Sequence, residues 1–332
     1  MSKFEKWDEN CSLESLQNIA DACVHCGKCR ENCAFLDKYE MDLGDVTKLQ
    51  EHVYGCFLCG NCDRVCQAGI SGRQLFQNLR RMQVRDGKLE EKPYSFVLKE
   101  KKDYKFRNYR NATAGRVLFP GCNFPSMFPK TNRKITDLCK AKGIGTVYDC
   151  CGKPIAELGL YRDEERIVNR ISRELESRGI GEVITTCPNC YYFLKERIPQ
   201  QVRSIYEVLP ELAPEISVPK DIEIQIPCPD RTNREWYDGI CKLLGYEPAV
   251  TAAEQCCGLG GMASAEEPEL AKKFGEGLTS SGLRNTTFCA SCAGQYARNG
   301  KEIRHVLSLL LGMEEAPATK TSYLNRVKTK YK

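Results

Sequence analysis

Apolar residues in the first quarter of the chain recur every three or four positions, which is the period of an amphipathic α-helix. Two such stripes come first, and a third follows Ser71, a predicted helix N-cap. The stripes consist of Leu13, Leu16, Ile19 and Ala20; of Val46, Leu49 and Val53; and of Leu75, Leu79 and Met82. No strand pattern occurs here, so we predict an α-helical domain over residues 1–84.

From residue 115 onward, short β-branched and apolar runs alternate with helical stripes. The runs lie at residues 117–119, 146–148 and 183–185, then at Ile222, Ile224 and Ile226, and at 286–288. The helical stripes are Ile167, Ile171 and Leu175, then Leu270, Phe274 and Leu278. Such alternation predicts a parallel sheet in each half. The predicted fold class is therefore α + α/β, with α/β domains at residues 115–215 and 216–313.

Two charged segments flank these domains. Residues 85–110 hold nine Lys/Arg and five Asp/Glu without clear periodicity, so 85–114 is predicted to be a connector with one short helix at most. Residues 316–332 hold five basic and no acidic residues. We predict that 314–332 is a solvated basic tail without fixed structure, with docking to an acidic partner or a membrane surface as the alternative.

Composition narrows the possible classes. Hydrophobic residues make up 42% of the 332 positions, enough for packed cores, and the net charge of +5 is too mild for a nucleic-acid binder. The first ten residues lack an apolar signal segment, and the longest apolar run, 306–313, is far below the roughly 20 residues that span a bilayer. We therefore expect a cytoplasmic protein whose 21 cysteines are reduced.

The first cysteines form two runs with the spacing C-x2-C-x2-C-x3-C. Cys23, Cys26, Cys29 and Cys33 form the first run, and Cys56, Cys59, Cys62 and Cys66 form the second. With this spacing, three cysteines bind one [4Fe–4S] cluster and the fourth binds the other cluster. One predicted ligand set is therefore Cys23, Cys26, Cys29 and Cys66, and the other is Cys56, Cys59, Cys62 and Cys33. Zinc or a disulfide scaffold is the alternative.

Ten further cysteines occur in a sequence repeat. Each copy has a single cysteine, then a Cys-Cys-Gly triplet 28 residues later, then a Cys-x2-Cys pair. The copies consist of Cys122, Cys150, Cys151, Cys187 and Cys190, and of Cys228, Cys256, Cys257, Cys289 and Cys292. Each group follows a predicted strand, and sites in parallel sheets gather beyond the carboxyl ends of strands. We therefore expect five sulfurs to converge in each copy.

Glycines after the adjacent cysteines fit this interpretation. Gly152 and Gly258 would supply the sharp turn that lets both cysteines of a pair face one centre. Gly260 and Gly261 would leave room for a cluster or substrate. Five thiolates exceed the four that a cubane needs, so the fifth either bridges irons in an unusual cluster or remains a reactive thiol.

The remaining candidates carry weaker signals. Cys139 and Cys241 lie on apolar helical faces and are predicted to be core residues, while Cys11 has no assigned role. His25, inside the first run, is interpreted as a solvated loop residue that could tune a cluster. His305 aligns with Glu207 of the first copy, and a proton-donor role for it is a weak hypothesis.

The order of these motifs resembles the D-type subunit of heterodisulfide reductase, a family in which a C-type and a B-type chain are fused. The most specific motifs are C-C-G-L-G-G at 256–261 and C-P-N-C at 187–190. The resemblance implies that each complete repeat holds a non-cubane [4Fe–4S] cluster and that the pair of clusters splits a disulfide. The same domain also occurs in iron–sulfur subunits of glycolate, lactate, glycerol-3-phosphate and succinate/fumarate complexes.

Two redox functions therefore compete. The chain is either a reductase of a disulfide or related sulfur compound, or an electron-relay subunit without a substrate of its own. It lacks a Gly-rich dinucleotide fingerprint, so a flavin would lie on another chain. The expected partners are a flavoprotein, a ferredoxin, or a membrane cytochrome or quinone module through which the chain could sit on the inner face of the membrane. Zinc-dependent architecture is a third, non-redox alternative.

Overall fold

The computed structural model describes residues 7–252, 255–279 and 281–332, so the first six residues of the predicted N-terminal domain lie outside the described part. The front of the chain, up to Asp86, is helical, and within the described residues no strand precedes Asn108. Its helices are α1 (Leu13–Ala20), α2 (Lys28–Glu31), α3 (Ala34–Lys38), α4 (Val46–Glu51), a 3-10 turn (Val53–Gly55), α5 (Asn61–Val65) and α6 (Gly72–Arg85).

Local chemistry explains the ends of these helices. The Ser71 hydroxyl accepts a hydrogen bond from the backbone N–H of Gln74, which confirms the predicted N-cap of α6. Leu75, Leu79 and Met82 are buried on α6 as predicted. In α1 the stripe is narrower than predicted, because Ile19 is 54% exposed while Leu16 and Ala20 are buried.

The connector is more ordered than predicted. A 3-10 turn (Lys92–Tyr94) and helix α7 (Ser95–Lys101) lead into strand β1 (Asn108–Asn111), which pairs antiparallel with β3 (Gly145–Tyr148). The segment 108–111 therefore belongs to the first sheet rather than to a free connector. The cause is tertiary, since the Tyr109 hydroxyl donates to the buried carboxylate of Asp149, 2.9 Å away.

The first repeat forms a sheet with the strand order β1-β3-β2-β4-β5. All neighbours except β1 and β3 are parallel. Its other strands are β2 (Gly115–Phe119), β4 (Ile180–Thr185) and β5 (Gln201–Ser204). Its helices are α8 (Phe124–Met127), α9 (Pro129–Ala141), α10 (Lys153–Glu157), α11 (Tyr161–Glu176), α12 (Pro188–Lys195) and α13 (Ile205–Leu212).

The second repeat forms a parallel sheet with the order β7-β6-β8-β9. This order matches β3-β2-β4-β5 of the first repeat, so the repetition extends from the sequence to the topology. Its strands are β6 (Ile222–Gln225), β7 (Ala249–Val250), β8 (Arg284–Thr287) and β9 (Arg304–His305). Its helices are α14 (Glu235–Leu244), α15 (Pro268–Glu276), α16 (Ala290–Arg298) and α17 (Val306–Leu310), with 3-10 turns at Cys228–Asp230 and Gly260–Ala265.

Each predicted strand run overlaps an observed strand, and the two repeats share one hydrophobic core. Trp236 of the second repeat, for example, packs edge-to-face on Tyr206 of the first. The front helices have a separate core. Among the described residues, no helix is long and apolar enough to cross a membrane.

The basic tail is not free, which corrects the prediction for residues 314–332. Helix α18 (Ser322–Thr329) packs against α8. The Ser126 hydroxyl donates to the carbonyl of Ser322 at 2.8 Å, and the Asn108 side chain donates to the carbonyl of Thr329 at 3.0 Å. A charge pattern alone does not reveal such backbone acceptors.

Candidate metal centres

The front cysteines line two small cavities. Cys23, Cys26, Cys29 and Cys66, here called front set A, line one of them. Cys33, Cys56, Cys59 and Cys62, called front set B, line the other. The structure thus brings together the same two groups of four that the crossover spacing predicts. Set A is at the surface, with Cys26 exposed, whereas every cysteine of set B is buried.

The two front loops have the same backbone geometry. His25 and Leu58, two residues after the first cysteine of each run, have positive φ angles of 49° and 50°. Each backbone N–H points to the preceding cysteine sulfur at 3.4 Å, His25 to Cys23 and Leu58 to Cys56. This conformation folds the loop around one point, so the sulfurs of a run face a common cavity.

His25 has a partner that the sequence did not reveal. Its Nδ1 lies 2.9 Å from a carboxylate oxygen of Asp42, and this hydrogen bond raises the pKa of the imidazole. A sulfur of Cys23 lies within 4.8 Å of ligand atoms of both residues. His25 is exposed, as predicted, and borders set A.

Five cysteines meet in the first repeat, at a place here called site 1. A chain of hydrogen-bonded thiols runs from Cys122 to Cys150, Cys151, Cys190 and Cys187. They follow strands β2, β3 and β4, whose carboxyl ends meet at one edge of the sheet. Gly152 has a φ of 97° and caps α10, so the predicted sharp turn after the cysteine pair is present.

Site 2, in the second repeat, contains the other five cysteines of the sequence repeat. Cys257, Cys292 and Cys289 are hydrogen-bonded to one another in series, while Cys228 and Cys256 form a second group. Cys256 is also hydrogen-bonded to Cys59 of front set B. The buried hydroxyl of Tyr296 lies close to both groups and has no hydrogen-bond partner among the described residues.

Gln255 joins site 2 to front set B. Its side-chain nitrogen donates to the sulfurs of Cys33 and Cys59, both at 3.5 Å. Its side-chain oxygen accepts a hydrogen bond from the backbone N–H of Ala34 at 2.9 Å. Sequence reasoning missed Gln255. The available signal was its position directly before a cysteine pair, where the first repeat has the equally buried Asp149.

Cations lie beside both rear sites. At site 2 a guanidinium nitrogen of Arg231 lies 3.8 Å from the Cys228 sulfur, and Arg73 donates to the Cys228 carbonyl at 3.4 Å. The hydrogen bond with Cys256 and the charge of Arg231 lower the pKa of Cys228. At site 1, Lys101 is buried beside Cys122 and Cys150, and Arg326 of α18 lies near Cys122.

Arg80 holds the front helices against the rear repeats. It is fully buried on α6 and donates to four backbone carbonyls. The acceptors are Val53 and Cys56 in the front, Glu157 in the first repeat and Gly261 in the second, at 2.6–3.1 Å. Nothing in the sequence marks Arg80, because its acceptors are backbone atoms.

Gly260 and Gly261 are not beside an open space, which corrects the expectation that they leave room for a ligand. A Cβ on Gly260 would lie 2.2 Å from the carbonyl oxygen of Phe57, and one on Gly261 would lie 2.4 Å from that of Cys56. The space is filled by the front module. Gly258, with a φ of 81°, supplies the predicted turn and packs on Ala271.

His305 has a structural role rather than a proton-donor role. Its Nδ1 accepts from the backbone N–H of Leu307 at 3.2 Å, and burial lowers its pKa to about 3. The sheet register also corrects its alignment, because His305 pairs with Thr287 as Ser204 pairs with Thr185. Its counterpart in the first repeat is therefore Ser204, another helix cap, rather than Glu207.

The other cysteines lie away from these sites. Cys139 is fully buried in the core, as predicted, whereas Cys241 is only half-buried. Cys11 is half-buried and bonds weakly to the Ser15 hydroxyl at 3.6 Å. All 21 cysteines are within the described residues, and none of them forms a disulfide.

A cleft of about 920 Å³ opens between the front helices and the repeats. Its wall includes Cys228 of site 2, together with Arg73 from α6 and Lys153 from α10. Tyr192 and Phe193 of α12 contribute aromatic surface. Cys228 is the one cluster-candidate cysteine of the described chain that lines this cleft, so a molecule in the cleft would contact site 2.

The sequence is similar to those of known proteins. Residues 117–195 and 227–297 match the model of the cysteine-rich domain called CCG, so the chain contains two such domains. It is 23% identical to the D subunit of dihydromethanophenazine:CoB–CoM heterodisulfide reductase from Methanosarcina barkeri, over 84% of this chain and 87% of that protein. The predicted resemblance is thereby confirmed.

Two other relatives have different names. The B subunit of fumarate reductase (CoM/CoB) from Methanothermobacter marburgensis is 24% identical over 76% of this chain and 62% of its own length. The glycolate oxidase iron–sulfur subunit of Escherichia coli is 21% identical over 81% of this chain and 86% of its own length. The relatives are subunits of redox enzymes, which supports an oxidoreductase-related role and iron–sulfur clusters for this chain.

Proposed function

We propose that this chain, which carries two CCG domains, is the iron–sulfur subunit of a cytoplasmic redox complex and conducts electrons between a ferredoxin-like front domain and the two rear sites. The observation that carries the proposal is the contact between Cys59 of front set B and Cys256 of site 2, which pack in one buried cluster. This contact places front set B directly beside site 2, although the sequence predicts them as two separate groups of cysteines.

The residues present fit iron–sulfur clusters. Sets A and B each offer four soft thiolate donors around one cavity, and sites 1 and 2 offer five each. Front sets A and B would hold cubane [4Fe–4S] clusters, and sites 1 and 2 would hold non-cubane ones. Bound there, such clusters supply one-electron chemistry.

The surrounding residues suit an anionic group. Lys101 and Arg326 at site 1, and Arg73 and Arg231 at site 2, place positive charge beside the thiols. Gln255 donates to two sulfurs of set B. Hydrogen bonds and charge near the sulfurs are the means by which a protein tunes a cluster potential.

The proposed reaction is reduction of a small disulfide in the cleft. Splitting an S–S bond takes two electrons and two protons and releases two thiols. Cys228 in the cleft wall supports this proposal, because it places a site 2 sulfur where a small molecule can reach it. A relay function without a substrate, as part of a flavin-dependent dehydrogenase, is the second candidate. It is favoured by the similarity to the glycolate oxidase subunit over most of both chains.

Iron content tests the cluster proposal. Protein purified anaerobically should contain iron and sulfide and bleach in air, and Cys26→Ser should lose about four iron atoms per chain. Cys11→Ser is the matched control, since Cys11 belongs to no set, and it should keep the wild-type iron content. Zinc with little iron, or equal iron in the two variants, would contradict the assignment of set A.

Turnover separates the two candidate functions. Cluster-replete protein, reduced by a viologen dye, should convert a low-molecular-weight disulfide to thiols. Two molecules of one-electron-reduced dye should be oxidised for each disulfide that is reduced. A replete protein that accepts electrons from the dye but reduces no disulfide would favour the relay function. Activity that returns only after addition of a flavoprotein would favour it further.

A further inference from the structure

An exposed patch of aromatic and basic residues lies on helices α7 and α18. We call it the α7–α18 patch, and it consists of Phe96, Lys99, Tyr323, Leu324 and Lys328. Phe96, Tyr323 and Leu324 are 65%, 50% and 59% exposed. The rings of Phe96 and Tyr323 approach to 6.5 Å between centroids, so the two helices present one continuous surface.

The inner side of the same helices closes site 1. Arg326 of α18 binds the Glu100 carboxylate of α7 at 2.5 Å and lies near Cys122. Val327 packs in the small apolar cluster that contains Cys122 and Cys150. Because a helix with its side chains is about 10–12 Å across, a protein bound to the patch would be separated from site 1 by a single helix.

The charge of the patch is positive, and its lysines form no ion pair with the residues that the structure describes. Within the described part of the chain, neither Lys99 nor Lys328 has a carboxylate oxygen within 4.0 Å, and the same is true of the exposed Lys105 nearby. Glu100 is buried beneath the patch and already paired. A contiguous group of exposed apolar side chains with charged residues at its rim is typical of an interaction site.

We propose that the α7–α18 patch is the docking surface for an acidic electron-carrier protein, which exchanges electrons with site 1. In this step the reduced carrier loses one electron, and the chain gains it. The proposal rests on the proposed function and adds the partner's chemistry and its place of docking. The complementary charge of the carrier would orient it and accelerate its association. A membrane is a poorer occupant, because α18 is only eight residues long and exposes two large apolar side chains.

The test compares two reductants of the cluster-replete chain. The probes are an acidic flavodoxin reduced to its hydroquinone and reduced methyl viologen, and the readout is stopped-flow bleaching of the visible absorbance. For Lys99→Glu/Lys328→Glu we expect the flavodoxin rate at low salt to fall about tenfold, with the viologen rate unchanged. The wild-type flavodoxin rate should fall as salt rises.

The control variant is Lys140→Glu/Lys142→Glu, whose lysines are equally exposed but lie at the end of α9. It should keep the wild-type flavodoxin rate. Equal losses in both variants, no loss in the patch variant, or no reduction by flavodoxin would each overturn the docking surface. So would a patch variant that loses binding to anionic phosphatidylserine vesicles but keeps its flavodoxin rate. Iron content and viologen reduction, measured on the same samples, show separately whether the proposed function holds.

Discussion

Buried polar residues connect the parts of this protein. Arg80 reaches backbone carbonyls in the front and in both repeats, and Gln255 reaches sulfurs of front set B from the second repeat. Each makes several charged or amide hydrogen bonds in a buried place, where an unpaired polar group is costly. The relative position of the cysteine sets therefore depends on a few side chains that are not ligands.

His305 gives a residue-scale prediction about pH. Burial lowers the pKa of its imidazole from 6.5 to about 3, so the unfolded chain takes up a proton at a higher pH than the folded chain does. The stability that the neutral ring contributes is present above pH 6.5 and is lost as the pH falls from 6.5 towards 3.

The variant His305→Ser tests the direction of this pH dependence. Serine is chosen because Ser204 caps the equivalent helix of the first repeat. Between pH 7 and pH 5 the wild type should lose about 2 kcal/mol more unfolding free energy than the variant, measured from urea midpoints. The variant will be less stable overall because a cavity forms beside Phe124 and Phe128. An unchanged pH slope would contradict the buried neutral state.

At the scale of elements, the two repeats have the same strand order, but different segments of the chain cover their cysteine sites. Site 1 is covered by the connector and the tail, through Tyr104, Phe106 and Val327. Site 2 is covered by the front module, through Phe57 and Cys59. The duplicated domains thus present different neighbours to equivalent cysteines, and only site 2 opens to the large cleft.

Removal of α18 tests the cover over site 1. A chain that ends after Glu315 should label Cys122 with a maleimide at least about tenfold faster in the metal-free, reduced state. Exposed Cys26 provides an internal reference for full reactivity. In the control variant Leu324→Ser, which changes only the outer face of α18, Cys122 should be labelled at the wild-type rate. If truncation leaves the rate unchanged, α18 does not protect the site.

At the scale of the whole molecule, the front domain docks closely on the second repeat. Glu267 accepts from Lys38 at 2.7 Å and from Tyr39 at 2.6 Å, beside the close approach of Gly260 to Phe57. This contact brings front set B against site 2, and any electron path between the two depends on it.

Gly260→Ala tests that interface. The added methyl group would lie 2.2 Å from the Phe57 carbonyl oxygen, so the front domain must shift or separate. We expect a loss of about 1–3 kcal/mol in unfolding free energy and faster trypsin cleavage within residues 86–107 of the connector. Gly239→Ala, on α14, is the control, because the atom nearest to its added methyl group would be 3.9 Å away, and it should be neutral or slightly stabilising. Equal proteolysis of both variants would argue against the close contact.

The sequence alone determined the cysteine sets, the duplication and the strand runs. These follow from spacing and from the periods of helix and strand, which are local properties. It also predicted the turns at Gly152 and Gly258, because a chain that turns between adjacent cysteines favours glycine there.

Only the tertiary structure decided the rest. The place of β1, the packing of α18 and the contact that fills the space beside Gly260 all depend on backbone groups far away in the chain. Every residue has a backbone carbonyl, so a side chain that donates to one leaves no recognisable partner residue in the sequence. For that reason a local pattern can place the ligands in sets, while long-range packing determines which sets adjoin and which are open to a substrate or a partner.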